Sequence, residues 1–586
     1  MSKALLSGNE AIARGFYEAG GRFAAAYPGT PSTEILENIG QYEEIQAQWA
    51  PNEKVALEIA GGAALGGMRS LAAMKHVGLN VAADPLFSLS YQGTTAGLVI
   101  VSADDPAMHS SQNEQDNRWY ARAAKIPLLE PSDSQEAKDF TMLALELSER
   151  YDTPVLLRTT TRISHSKSIV MLNERNPVAP KEYKKDFSKN VLLPTNARKK
   201  HVLVEKRLAE LEAYGNDGNC NTIEWGDKKL GIITSGISYQ YAREVFPSAS
   251  ILKLGLTFPL PKQLIRKFAE QVEKIYVIEE LDPFLEEQIA AMGIAVEGKN
   301  RLPLLGEFNP EIIAAAFGLL PPSSESVLKD IPIPARPPVL CPGCSHRGIF
   351  YAMKKLRLTV TGDIGCYTLA AIPPLEIMDT CLCMGASIGY AEGMEKAAGE
   401  KFKGKLIGVI GDSTFFHSGI TGLLDIVYNQ GKTKICILDN HITAMTGHQE
   451  HPGSGLTLKG EPTNKVEIEA VCRAVGIKRV VRVDPYKIDE TVAVLKQELA
   501  TDEPSVIIVD APCVIRARKV FNKPYIVDPE KCIMCGMCHK VGCPAIEKDE
   551  NGKTKINGLL CIGCDICRQV CKPQAIQKPV QDQGNG

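Results

Sequence analysis

Residues 406–447 read LIGVIGDSTFFHSGITGLLDIVYNQGKTKICILDNHITAMTG. Two apolar runs each end in a polar pair: Asp412-Ser413, which follows Gly411, and Asp439-Asn440. Between them an apolar repeat of helical period predicts a helix from about Ser418 to Tyr428. Strand, helix and strand in that order place both polar pairs at the carboxyl ends of neighbouring parallel strands, where open α/β sheets bind ligands. Asp412 and Asn440 offer hard oxygen donors that suit Mg2+, and the helix start offers unpaired backbone N–H groups to a phosphate. The same residues also admit a plainer account, with Asp412 as an ordinary helix N-cap.

Outward from this stretch, the 586 residues predict roughly four domains. Residues 1–185 alternate strand-like runs at 22–26, 97–101, 126–129 and 154–157 with helices, one of them near 134–150, as a parallel sheet covered on both faces requires. Ser7-Gly8-Asn9-Glu10 reads as a capping box opening an amphipathic helix that stops at Gly20-Gly21. From 173 to 228 the chain is polar, with one short helix expected near 199–214, and 186–227 reads as a connector. A second βα region, 228–330, has strands expected at 230–234, 251–254 and 275–278. The proline-rich IPIPARPP at 331–338 favours an extended tether. Residues 339–520 form a third α/β region, and 524–580 a small terminal module.

The net charge of −3 argues against nucleic-acid and anionic-membrane partners. MSKALLSGNEAIARG lacks a secretory apolar core, and no apolar run reaches the roughly 18 residues of a membrane span, so a cytoplasmic protein is expected. Seventeen cysteines in that compartment read as metal ligands and buried thiols rather than disulfides. Eight of them lie in the terminal module, spaced C-x2-C-x2-C-x4-C-P (Cys532, Cys535, Cys538, Cys543) and C-x2-C-x2-C-x3-C-K-P (Cys561, Cys564, Cys567, Cys571). This doubled pattern fits two 4Fe-4S clusters, each remote cysteine serving the opposite cluster. One cluster then takes Cys532, Cys535, Cys538 and Cys571, and the other Cys561, Cys564, Cys567 and Cys543. Zinc sites or a disulfide knot fit the spacing less well, although the first motif carries one residue more than usual before its remote cysteine. Such centres move electrons singly, and exposed ones imply an oxygen-poor setting.

Several further stretches resemble the 2-oxoacid:ferredoxin oxidoreductases. Asn440-His-Ile-Thr-Ala-Met-Thr-Gly-His-Gln is similar to the family's N-x-x-Y-G-M-T-G-G-Q, and Gly411-Asp412-Ser413 to the GDG of thiamine diphosphate sites, with serine in place of the last glycine. Cys341-Pro-Gly-Cys344-Ser-His346 and Gly362-Asp-Ile-Gly-Cys366 resemble C-P-G-C-x-H and G-I-G-C. Tyr27-Pro-Gly-Thr30-Pro-Ser-Thr33 and Glu58-Ile-Ala-Gly-Gly-Ala-Ala resemble Y-P-I-T-P-S-T and S-E-I-A-x-x-G-A-A. The order of modules is most similar to the alpha subunit of the indolepyruvate-specific branch.

The resemblance implies an α/β fold of several doubly wound parallel-sheet domains of the thiamine-diphosphate-enzyme type, followed by a two-cluster ferredoxin-like α+β module. Residues 1–185 would bind the pyrimidine, 228–330 would resemble the transketolase C-terminal domain, and 339–520 would bind the diphosphate and Mg2+. The metal would be held by Asp412, Asn440 and the Ile442 carbonyl, with Gly411, Ser413, Thr446, His346 and Cys366 also at the cofactor. Glu58 would hydrogen-bond the aminopyrimidine; set in an apolar helix at 55–67, it is expected to be buried, with a raised pKa and a partner. A solvated helix-surface glutamate is the alternative.

Thr30 would contact the 2-oxoacid, unless it or Ser32 is simply a helix N-cap. The family's carboxylate-gripping arginine has no counterpart near 102–109, where His109 and, more distantly, His346 are weak substitutes. Cys341, Cys344, Cys366 and Cys513 would hold a third cluster near the thiamine, or else are buried thiols. Cys381, Cys383, Cys220, Cys436 and Cys472 read as packing. The implied reaction is oxidative decarboxylation of an arylpyruvate with coenzyme A, delivering electrons to ferredoxin. It would need a small beta subunit in a dimer of such pairs. A thiamine enzyme that forms no thioester, an aliphatic 2-oxoacid as substrate, and a non-catalytic electron-transfer subunit are the competing readings.

Overall fold

The computed structural model describes residues 2–218, 220–319, 337–518 and 521–579. Of the tether expected at 331–338, residues 331–336 lie outside the described residues. The chain divides into two compact units, Met1–Pro332 and Ile333–Gly586.

The first unit carries a seven-stranded sheet in the order Leu256–Phe258, Leu128–Leu129, Val155–Thr160, Leu98–Asp104, Ser70–Lys75, Phe23–Ala26 and Gln46–Trp49. All neighbours are parallel except the first pair. Strands 98–104 and 155–160 are buried at every residue, the signature of a sheet covered on both faces. The antiparallel edge strand comes from the region expected to form a separate sheet. Only Gly255 separates it from strand Ala249–Leu254, which lies in a four-stranded sheet with Ile275–Ile278, Asp227–Ser235 and Thr222–Glu224.

Both sheets feed one hydrophobic core, in which Leu98, Ile100 and Leu156 pack with Ile233, Leu252 and Val277. The connector is likewise integral: its helix runs Pro194–Asn216, longer than expected, and buries Val204, Arg207 and Leu211. Proline at its first turn costs no hydrogen bond. The Ser7–Glu10 capping box is present on helix Gly8–Glu18. Strand Ser2–Ser7, which the sequence did not suggest, pairs antiparallel with Lys167–Leu172.

The second unit is built on a six-stranded, wholly parallel sheet ordered Thr380–Cys381, Thr359–Gly362, Leu406–Gly411, Lys434–Asp439, Ser505–Asp510 and Arg479–Val483. The helix expected from about Ser418 begins at once after the strand. An α turn at Asp412–Thr414 leads through a π turn, Phe415–Gly419, into Ile420–Tyr428. The terminal stretch has only short pieces: Ile526–Val527 paired with Ile576–Gln577, and Ile546–Lys548 with Thr554–Ile556. Its Val541, Ile546, Ile566 and Val570 share a core with Ile349, Phe350 and Val492 of the sheet region.

Candidate active site

In the second unit the chain leaves strand Thr359–Gly362 towards one edge of the sheet and strand Leu406–Gly411 towards the other. Their carboxyl ends therefore flank a topological switch point, the place where open sheets bind ligands. Asp363, Asp412-Ser413, Asn440 and Cys513 all follow strands at this edge. Gly411 lets the turn close, since a Cβ there would stand 2.8 Å from the Tyr367 ring.

Asp412 is buried, and one oxygen of its carboxylate accepts the Ser413 amide at 2.8 Å while the other meets His451 Nε2 at 3.2 Å. Burial alone would favour the neutral acid. The His451 charge and hydrogen bond, with backbone donors from Ser413 and His441, instead hold the carboxyl below the ordinary range. The Ser413 hydroxyl accepts Thr443 Oγ1 at 2.8 Å, tying the two strand-end turns together. Asn440 Oδ1 accepts the Ile442 amide at 3.2 Å, and its Nδ2 lies 3.4 Å from His346 Nε2. His346 opens helix His346–Leu356, and burial pushes its pKa down to about 4, leaving a neutral ring at pH 7.

Thr446 donates to Gln449 Oε1 at 2.5 Å and accepts Gln449 Nε2 on its carbonyl at 3.1 Å, bracing the loop after Asn440. The Asp412 carboxylate and the Asn440 amide oxygen, at the ends of neighbouring strands, are hard-oxygen donors of the kind that fits Mg2+. Asp363 adds a second buried acid, raised by burial to about 6 and hydrogen-bonded by Tyr367, Ser387 and the Gly385 amide.

The four cysteines at 341, 344, 366 and 513, remote in sequence, converge beside this edge. The Cys344 amide donates to the Cys341 carbonyl at 3.1 Å, and the Cys513 amide to the Asn440 carbonyl at 2.9 Å. Burial raises Cys344 to about 12 and Cys366 to about 11. Beyond burial, Cys513 acts on Cys341 and Cys366, and Cys341 on Cys344 and Cys366, so the thiols lie within electrostatic reach of one another. Cys220, Cys436 and Cys472 are buried as expected of packing residues; Cys381 and Cys383 are exposed instead.

In the terminal stretch one small cavity is lined by Cys532, Cys535, Cys538 and Cys571. A second is lined by Cys543, Cys561, Cys564 and Cys567. The extra residue before Cys543 is taken up in a 3-10 turn, His539–Val541, closed by Gly542 at a φ of +73°. Each cavity has four cysteines in its wall, a donor set that suits a cubane cluster.

In the first unit Thr30 follows strand Phe23–Ala26, half-buried. Neither hydroxyl caps helix Thr33–Ile39, because Ser32 donates to the Gly29 carbonyl at 2.8 Å. Lys75, at the carboxyl end of the adjacent strand, covers Gly29 and donates to the Ser110 carbonyl at 2.9 Å. Burial lowers its pKa against the pull of Asp105 and Glu53. His109, by contrast, is exposed and lies 3.2 Å from Glu307.

Glu58 departs from expectation. Helix Glu53–Leu65 turns it outward, its side chain is 46% exposed, and within this unit it pairs with Lys54 one turn before it. The small residues that suggested burial, Ala56, Ala60, Gly61 and Ala64, line the opposite, packed face. Lys75, His451 and Asp363 were not singled out by the sequence. Asp363 lies inside the quoted G-D-I-G-C, whereas His451 sits in a loop without periodicity and Lys75 ends a strand as any lysine might.

Two stretches match described families: residues 14–208 match pyruvate flavodoxin/ferredoxin oxidoreductase, thiamine diphosphate-binding, and residues 363–509 match the C-terminal TPP-binding domain of thiamine pyrophosphate enzymes. The indolepyruvate oxidoreductase subunit IorA of Archaeoglobus fulgidus is 42% identical over 98% of this chain and 97% of its own. That of Methanothermobacter thermautotrophicus is 41% identical over the same shares. A solved 2-oxoglutarate:ferredoxin oxidoreductase from Magnetococcus marinus, with 2-oxoglutarate, coenzyme A and succinyl-CoA bound, matches 54% of this chain and 65% of its own at 18% identity and a TM-score of 0.46. With the parallel-sheet architecture and near full-length identity in agreement, the chain belongs to the indolepyruvate oxidoreductase subunit IorA family, oxidoreductases built on thiamine diphosphate-binding modules.

Proposed function

We propose that the protein oxidatively decarboxylates an arylpyruvate, indolepyruvate first among them, with coenzyme A as acyl acceptor, and delivers the two electrons singly through 4Fe-4S clusters to ferredoxin. One observation carries this. The hard-oxygen donors and the Cys341, Cys344, Cys366 and Cys513 thiols share a sheet edge, joined by the Cys513 amide on the Asn440 carbonyl at 2.9 Å. An organic electron donor held at Asp412 and Asn440 would thus lie beside an inorganic acceptor.

Thiamine diphosphate, when bound, supplies the carbon nucleophile and electron sink that let a 2-oxoacid lose CO2. Asp412, Asn440 and the Ile442 carbonyl would hold Mg2+, which would supply charge neutralisation to the diphosphate. Gly411 and Ser413 bring the helix-start amides to it, Thr446 braces the facing loop, and neutral His346 orients Asn440. Glu58, exposed and paired with Lys54 one turn away, is available to hydrogen-bond the aminopyrimidine. Thr30 meets the 2-oxoacid, and Lys75 takes the place of the missing arginine at its carboxylate.

The Cys341, Cys344, Cys366 and Cys513 set would hold the first acceptor, and the sets of Cys543 and Cys532 would hold the two centres that pass single electrons onward. The domain roles follow: 1–185 for the pyrimidine, 186–227 and 228–330 as supporting structure, 339–520 for the diphosphate and 524–580 for the two outer clusters. No helix among the described residues is long and apolar enough to cross a membrane, and an anaerobic cytoplasmic setting suits the exposed clusters. A small beta subunit, in a dimer of heterodimers, supplies what coenzyme A binding still needs.

Under anaerobic conditions, dye reduction by protein reconstituted with iron, sulfide, Mg2+, thiamine diphosphate and its partner should be fastest with indolepyruvate, followed by phenylpyruvate. Faster turnover of pyruvate or 2-oxoglutarate would transfer the assignment to an aliphatic substrate. Absence of any 2-oxoacid-dependent reduction would leave an electron-transfer subunit, and full turnover with coenzyme A by this chain alone would remove the beta subunit.

A further inference from the structure

Arg347 is among the most completely buried large side chains of the protein, at 1% exposure. Among the described residues no carboxylate pairs with it. Its donors go instead to backbone carbonyls: Nε to Cys341 at 3.0 Å, Nη1 to Val541 at 3.2 Å and to Gly542, and Nη2 to Leu340. Leu340 and Cys341 belong to the loop of the inner thiols. Val541 and Gly542 immediately precede Cys543, a wall of the second terminal cavity.

The two loops touch directly. A Cβ on Gly343, whose φ is +65°, would overlap Ile562 and stand 3.5 Å from Cys564 Cβ. Pro342 and Gly343 line the Cys543 cavity, and none of the residues lining the Cys532 cavity comes from that loop. Burial pushes the Arg347 pKa down, and the charges that push it back are Cys543, Cys344, Cys341 and Cys564, two from each set. A guanidinium does not lose its proton in a protein, so a full positive charge sits between the sets.

A buried charge without a carboxylate is costly unless something else compensates it. Two anionic clusters on either side would do so. Resting on the cluster reading above, we propose that Arg347 is a positioning residue for electron transfer: it clamps the inner cysteine loop to the Cys543 loop and stabilises the negative charge either centre gains on reduction. Each reduction adds one electron, here from dithionite, and no proton, so each centre becomes more negative by one unit. A nearby fixed cation then raises both reduction potentials, while the Cys532 centre is affected least.

The test is an EPR-monitored reductive titration of the anaerobically purified full chain as wild type, R347Q and R347K, with iron and sulfide measured on each. At a potential where the wild-type centres are half reduced, the reduced-to-oxidised ratio of the two flanking centres should fall about tenfold in R347Q, equivalent to about 59 mV for a one-electron couple. The Cys532 centre should move far less, and R347K should restore the wild-type potentials. Retention of clusters by R347K when R347Q loses them would also support the proposal, since the requirement would then follow the charge.

Unchanged potentials in an iron-replete R347Q would overturn it, as would equal shifts in R347K and R347Q. Loss of clusters from both variants would overturn the charge role and leave a geometric clamp. Wild-type protein without cluster iron would defeat the cluster reading itself, a distinct failure.

Discussion

In the first unit the strand ends around Asp104, Arg158 and Glu279 pair buried acids with guanidiniums, whereas in the second the buried acids Asp363 and Asp412 have, among the described residues, no arginine or lysine partner. Arg158 binds Asp104 at 2.6 Å and Glu130 at 2.5 Å, and Arg118 binds Glu279 at 2.5 Å and Asp116 through paired hydrogen bonds, all within the interior. Arg118, Glu130, Arg158, Ser235, Glu279 and Glu280 line one small cavity where the carboxyl ends of two sheets meet. In the second unit Asp412 faces Asp439, which burial and then the Asp412 charge raise to about 6. No arginine or lysine pairs with Asp412 among the described residues. The carboxyl edge of a parallel sheet is thus a place where a ligand could bind, and the local balance of charge decides whether one is required.

If the first edge is a closed structural network, R158M should cost about 3–5 kcal/mol of unfolding free energy, because it strands Asp104 and Glu130 as buried, unpaired acids. Chemical denaturation of the protein would register this as a lowered midpoint, and a neutral substitution would break the contrast.

The same network holds more carboxylates than guanidiniums, and Glu280 carries the excess: burial raises it from 4.5 to about 7. Its folded pKa exceeds its unfolded one, so the associated stability is complete below pH 4.5 and is lost as pH rises through 7. E280Q keeps an acceptor for the Phe308 amide, now 2.8 Å away. It should therefore gain on the order of 3 kcal/mol over the parent above pH 7 and nothing below pH 4.5. Parallel stability–pH curves for the two proteins would contradict this.

The open edge should respond in the opposite manner. D412N should weaken Mg2+–thiamine diphosphate binding by about 100-fold while costing the cofactor-free fold less than R158M does, since relief of the Asp412–Asp439 opposition offsets part of the lost His451 pairing. Cofactor-dependent fluorescence quenching, paired with thermal melts of the apoprotein, separates the two. The smallest effect concerns Lys75. K75M should raise KM for the 2-oxoacid about tenfold, near 1.4 kcal/mol, with kcat within about twofold, as loss of uniform ground-state binding requires.

The terminal cysteine quartets could be read from spacing because a tight loop dictates which sulfurs share a cavity, and the pattern crosses over only once. The strand–helix–strand around Gly411 and Asn440 was legible for a similar reason, its apolar periods and turns being set within 40 or so residues of chain. The helix start was placed late because the π turn at Phe415–Gly419 disturbs the period there. The change of sheet at Leu256–Phe258 was not legible, because it depends on one glycine and on a core shared with distant strands.

By itself, then, the sequence determined the parallel α/β architecture, the two terminal cysteine sets and the placing of Asp412 and Asn440 after neighbouring parallel strands. These are consequences of short loops and of side-chain period, which neighbours along the chain impose. Only the tertiary structure decided that Glu58 faces outward, that Cys341, Cys344, Cys366 and Cys513 converge, and that Lys75, His451 and Arg347 stand where they do. Those depend on sheet order and on burial of charge against distant backbone, and neither leaves a local pattern of residues.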